Sequence, residues 1–172
     1  MTVKTNAGTR LRGYAGTMAT YGASSPADLP YIEIAEVISI GEHGGSTSLV
    51  THNPLATRRT KKAKGAINDG SMPVAMGMDI TDAGQLLLKN GALGANIDVE
   101  HSFEIEYQDG SKEYFTAVVM SYTRNPSTID AIVGANTTLE LTDNVIDPSN
   151  PFISGGAIYN YGFLSATSEI WS

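Results

Sequence analysis

Cysteine is absent from the 172 residues, which excludes disulfides, thiolate metal sites and cysteine nucleophiles. Long apolar runs are missing as well. The longest, such as Ala117-Val118-Val119-Met120, have strand length and fall far short of the roughly 18 residues of a membrane span. No membrane insertion by this chain is therefore expected. The opening Met1-Thr2-Val3-Lys4-Thr5 lacks the apolar stretch of a secretion signal, which points to a protein made in a cytoplasm. Basic side chains are scarce, 11 against 18 acidic ones, for a formal net charge of -7. That shortage is uneven: eight basic and four acidic residues lie before Gly65, whereas three basic and fourteen acidic residues follow from Gly65 onward. What the chain does have is 41% hydrophobic residues, enough at this length for one domain with a proper core.

Catalytic patterns are also missing. No Gly-x-Ser-x-Gly elbow accompanies His43, His52 or His101, and His43-Gly44-Gly45-Ser46 resembles an oxyanion-hole tetrapeptide only superficially. No His-x-x-x-His or Asp-x-Asp-x-Asp-Gly spacing offers a metal site. The turn Gly41-Glu42-His43-Gly44-Gly45 opens no helix and lacks the Lys-Ser/Thr ending of a phosphate cradle. The sequence thus predicts no enzyme, no catalytic residue, no cofactor and no metal. Nucleic-acid binding is the reading that Arg58-Arg59-Thr60-Lys61-Lys62-Ala63-Lys64 invites, but no aromatic is interleaved and the whole chain is acidic. An acidic sheet face would instead repel phosphates and let a polyanion pass.

Along the chain, residues 1–30 are rich in Gly, Ala, Ser and Thr and predict an N-terminal arm. Tyr31 to Ile40 predicts a strand with Ile32, Ile34, Ile38 and Ile40 on one side. Strict alternation would place Glu36 among those isoleucines, and a β-bulge flipping it outward is the expected remedy. Residues 42–73 read as one long loop, and their basic run favours docking on an acidic surface of another copy. A strand over Val74–Ile80 leads to a helix over 81–91, capped by Thr81 and closed by Asn90-Gly91, with Ala83, Leu86, Leu87 and Ala92 as its stripe.

From His101 the alternation is clean. Phe103, Ile105 and Tyr107 point one way and Glu104, Glu106 and Gln108 the other, before an Asp109-Gly110 hairpin turn and a returning strand over 113–122. Ile129 to Val133 predicts an extended segment and Thr137 to Thr142 a last strand. The sum is a mainly β fold, a β-sandwich or half-barrel with one short flanking α-helix and extended arms. A domain over 31–142 is followed by a C-terminal extension, 143–172, whose Phe152, Ile158, Tyr159, Tyr161, Phe163, Leu164, Ile170 and Trp171 are too many for a solvated tail. They predict packing on the domain or on a neighbour.

The order of these elements resembles the major tail tube proteins of long, non-contractile-tailed bacteriophages. The layout that carries the likeness is a glycine-rich arm, an isoleucine strand, a long basic loop, a strand leading into one short helix over Met76 to Gly91, and the hairpin from Phe103 to Tyr122. The resemblance implies a virion protein, made in the host cytoplasm, that self-assembles into six-membered rings whose stacking forms a conduit for DNA ejection. Its partners would be itself and other tail proteins such as tape measure, tail terminator and tail tip, with DNA passing only transiently. It also implies that Asp79, Glu104, Glu106 and Glu140 line the lumen and that Arg58, Arg59, Lys61, Lys62 and Lys64 make inter-ring contacts. The alternative from a different class is a carbohydrate-binding or adhesin-like module with Tyr159, Tyr161 and Trp171 as a sugar platform.

Overall fold

The computed structural model describes residues 5–17, 26–56, 59–94, 99–126, 128 and 131–148. Seven antiparallel strands form the main sheet, in the spatial order β2-β1-β7-β8-β9-β6-β3. They are β1 (Arg10–Tyr14), β2 (Ile32–Glu33), β3 (Val37–Ile40), β6 (Ser71–Gly77), β7 (Glu100–Glu106), β8 (Lys112–Asn125) and β9 (Gly134–Leu141). A separate two-stranded sheet pairs β4 (Ser46–His52) with β5 (Lys61–Asn68), and one helix, α1, spans Ala83–Leu93. Among the described residues the chain is mainly β with one short α-helix, as the alternation predicts.

Strands β2 and β3 lie at opposite edges of the main sheet, yet only residues 34–36 join them. A flat sheet of seven strands would hold its edges roughly 29 Å apart at about 4.8 Å per strand. The link can reach at most about 14 Å. The sheet must therefore roll until its edges nearly meet, and the corner at Ile34–Glu36 is where it closes.

Four expectations are corrected here. The stretch from Tyr31 to Ile40 is not one strand: Ile34 is buried beside Leu11, donating its N–H to the Leu11 carbonyl at 2.9 Å, while Ile32 and Ile38 are exposed. Glu36 does point outward, but as a left-handed corner residue at φ 58, and the β-bulge falls between Val37 and Ser39 instead. The expected arm supplies β1, which pairs with both β2 and β7 and buries Leu11 completely. The expected long loop is largely the β4–β5 hairpin, with β6 already begun at Ser71.

Cross-strand partners share a face, and side chains alternate along each strand. Leu11, Phe103, Phe115, Ala117, Val119, Leu139, Met72, Val74 and Met76 fall by register on the inner face and form the core. Phe103 and Phe115 stack at 5.5 Å. Helix α1 adds Leu87 and Leu88 to this interior, whereas the predicted stripe residue Leu86 is exposed. The stripe turns because two glycines set the approach: a Cβ at Gly84 would collide with the Glu33 carbonyl oxygen, and one at Gly91 would meet His101 and Val119. Asp82, not Thr81, is the N-cap. Its side chain accepts from the Gln85 N–H at 2.8 Å, the Asp-x-x-Gln spacing of a capping box. Buried Gln85 then donates to the carbonyls of Ala35 and Gly77, which fastens the helix to the corner and to the end of β6.

Candidate interaction site

Two surfaces carry the residues that the sequence singles out. The first is the sheet face opposite the core. Register places Arg12 beside Glu104, Glu104 beside Tyr114, and Val118 beside Glu140, so Glu104, Glu106 and Glu140 do share one face. That face is not simply acidic. Glu104 is only 2% exposed, held by Arg12 Nη1 at 2.6 Å and Lys112 Nζ at 3.3 Å, while Arg12 Nη2 reaches Glu106 at 2.7 Å and Arg10 meets Glu33 at 3.5 Å. The charge of Glu104 is therefore compensated beneath two cations. Burial pushes the neighbouring Tyr114 hydroxyl up to about 12, and the Glu104 charge adds to that. Asp79 lies off this face in the turn before α1. It accepts from the Thr81 N–H at 2.8 Å and hydroxyl at 2.7 Å, and these bonds hold its carboxyl below the usual range.

The second surface is the β4–β5 hairpin. Every residue of both strands except Gly65 is exposed, including Leu49, Val50 and Ile67. Lys61, Lys62 and Lys64 stand on β5 beside His52, Thr51 and Leu49, and exposed Arg59 precedes them. Arg58 lies outside the described residues, as do Tyr159, Tyr161, Trp171 and the rest of the aromatic extension beyond Pro148.

At the hairpin's root, His43 Nε2 lies 2.9 Å from Glu113 Oε2, the same oxygen that accepts from the Tyr107 hydroxyl at 2.8 Å, and the ring stacks on Phe115 at 6.1 Å. The hydrogen bond to Glu113 raises His43 and, reciprocally, lowers Glu113. This cluster clips the hairpin's base to β8. Among the described residues no group of three or more His, Asp or Glu could hold a metal ion, and no helix is long and apolar enough to cross a membrane.

Sequence reasoning missed Arg12, Lys112 and Glu113. The pair Arg12–Glu104 spans 92 positions, beyond any local pattern. A usable signal was the alternation Arg10-Leu11-Arg12-Gly13-Tyr14, hidden by the small-residue composition around it.

No protein-family model matches the chain, and no curated protein matches it. Solved structures do. A chain in the six-fold symmetrised cryo-EM baseplate of the anti-feeding prophage is similar over 87% of this chain and 99% of its own, with a TM-score of 0.58 at 8% identity. A chain in the tail of an empty GTA particle, refined helically with C6 symmetry, covers 84% of this chain and 98% of its own, at 0.58 and 8%. The SPP1 tail tube matches 91% of this chain and 88% of its own, at 0.53 and 11%. The rolled sheet with its flanking helix is thus a fold similar to that of phage tail and related injection-system proteins.

Proposed function

We propose that this chain is a structural, self-assembling tube subunit of a phage-like injection system, and more narrowly a tail tube protein of a long, non-contractile tail. Six subunits would form a ring, stacked rings a conduit for DNA, and terminator, tip and tape-measure proteins the remaining partners. The fold likeness supports the class, because it spans nearly the full length of the matched prophage and GTA chains.

The observation that carries the reading is the exposed hairpin. A two-stranded ribbon is marginal at best in water. This one exposes Leu49, Val50 and Ile67 together with three lysines, on a chain of net charge -7. Docking on an acidic part of the next ring would bury the apolar side chains and neutralise the lysines. In this arrangement Arg59, Lys61, Lys62 and Lys64 make the inter-ring contacts, with Arg58 beside them. Glu106 and Glu140 face the lumen, where like charge denies DNA a binding well, and Glu104 acts below them as the anchor of Arg12 and Lys112.

Negative-stain microscopy of the purified protein tests the reading, with rings or hollow tubes expected. A persistent monomer at every salt concentration, even with other tail proteins added, overturns it. Arg59→Glu with Lys62→Glu should block stacking and leave the circular dichroism unchanged. Unimpaired stacking by that variant would remove the hairpin's role.

A further inference from the structure

The roll of the sheet is incomplete. Strand β2 pairs with β1 only at Arg12 and Gly13, and beyond the Ile34–Leu11 hydrogen bond the chain turns away to join β6 as β3. Strand β3 and the segment leading into β1 therefore diverge from the corner and leave a groove of about 620 Å³ between them. Val37, Ile38 and Ile40 form one wall, and Ile105 contributes from the core. Among the described residues strand β3 is an edge of the sheet, bonded to β6 on one side only, and its Ile38 is 72% exposed. Thr9 lines the opposite wall, and its Oγ1 is closed to water and has no partner among the described residues. A trough lined by Val37, Ile38 and Ile40 together with polar Asn6, Ser39, Glu42 and His43 along a free strand edge matches an added strand, since the edge amides and carbonyls need partners and Ile38 needs cover.

The position of the chain's last described residues identifies the occupant. After β9 the chain continues beside β8, with Ile146 bridged to Tyr114 and each donating its N–H to the other's carbonyl. Asp147 then comes close enough for its charge to act on Tyr107 and Glu113. Tyr107 and the Glu113 partner His43 both line the groove. The chain thus reaches Pro148 at the groove's mouth with residues 149–172 still to come. Those residues carry Ile158, Tyr159, Tyr161, Phe163 and Leu164 against a single charged side chain, Glu169. About six residues in extended conformation cover roughly 20 Å of strand edge, so the length suffices several times over.

We infer that the C-terminal segment 149–172 of the same chain adds a strand to β3 in this groove and completes the barrel of the free subunit. The inference does not depend on tube formation, because it concerns one subunit.

Hydrogen exchange of the β3 amides at a concentration where the protein is monomeric tests it. The full chain should protect the β3 amides that are not bonded to β6 at least tenfold better than a chain ending at Pro148. A synthetic peptide of residues 149–172 should restore the protection. Full-length Tyr161→Asp with Phe163→Asp should behave as the shortened chain does, and this variant carries the comparison should the shortened chain fail to fold. Equal exchange in the full chain and that variant overturns the inference. So does protection that appears only as chains associate, because the occupant would then be a second copy.

Discussion

The rolled sheet and the β4–β5 hairpin are both antiparallel ribbons of one chain, yet they meet opposite surroundings. Strand β7 is buried on both faces through its middle five residues, with Phe103 in the core and Glu104 beneath Arg12 and Lys112. The hairpin is exposed on both faces. Their sequences explain the difference. In the hairpin, Leu49 stands opposite Lys64 and Val50 opposite Ala63, so each face carries an apolar residue but neither carries enough for a core. A ribbon of that kind is suited to a surface it meets later, whereas one with a full apolar face is committed during folding.

The rolled sheet is most vulnerable at its core. Phe115→Ala should cost about 3–5 kcal/mol in urea unfolding, since it empties the stack with Phe103 and removes the ring under His43. A loss below about 1 kcal/mol would mean that the two aromatics do not anchor the sheet. The next largest effect lies on the other face. Arg12→Ala leaves buried Glu104 with Lys112 as its remaining cation and should cost about 3 kcal/mol. Arg12→Met combined with Glu104→Leu should recover most of that loss, because the buried carboxylate is gone and the charges left behind, Glu106 and Lys112, are partly exposed. If the double variant is as unstable as the single one, shape and not charge decides this site.

These two regions also mark what a sequence reader can find. The alternation of Phe103 and Ile105 and the Asp109-Gly110 turn are local signals, and the β7–β8 hairpin follows from them. The helix is legible for the same reason, although Gly84 and Gly91 rotate its buried stripe through contacts with Glu33, Ile34, His101 and Val119 that no helical period reveals. The corner at Glu36 is hidden because the isoleucines on either side continue the same pattern while the chain crosses from one sheet edge to the other. The acidic face was legible as a face, through Glu104, Glu106 and Glu140. Its neutralisation was not, because the counter-ion Arg12 comes from a segment whose composition reads as an arm.

The clip between the two regions is sensitive to pH. His43 titrates above its ordinary 6.5, so its contribution is complete below that value and fades as pH rises through the raised pKa. Glu113 titrates below its ordinary 4.5, so its share is present above that value and is lost as pH falls through the lowered one. Both charges act together between roughly pH 4.5 and 6.5. The wild-type advantage over Glu113→Gln should be about 1 kcal/mol at pH 5.5 and smaller at pH 8.5. His101 responds in the opposite direction, since burial lowers its pKa and its protonation favours unfolding, but it is common to both proteins and cancels in the difference. A difference that stays constant across this range would show that the His43–Glu113 contact carries no charge.

The smallest effect on folding is expected where the effect on association is greatest. Leu49→Asp removes a side chain that is 63% exposed and opposite Lys64, so the monomer's stability should change by no more than about 0.5 kcal/mol. In the assembled state the same carboxylate would be buried against a neighbour, where an unpaired charge is costly. Tubes should therefore fail to form although the variant unfolds at the wild-type urea concentration. A marked loss of monomer stability would place Leu49 on the subunit's own body. Normal tubes from a normally stable variant would leave the hairpin outside the ring-to-ring contact, and the division between a committed sheet and a waiting ribbon would then rest on Val50 and Ile67 alone.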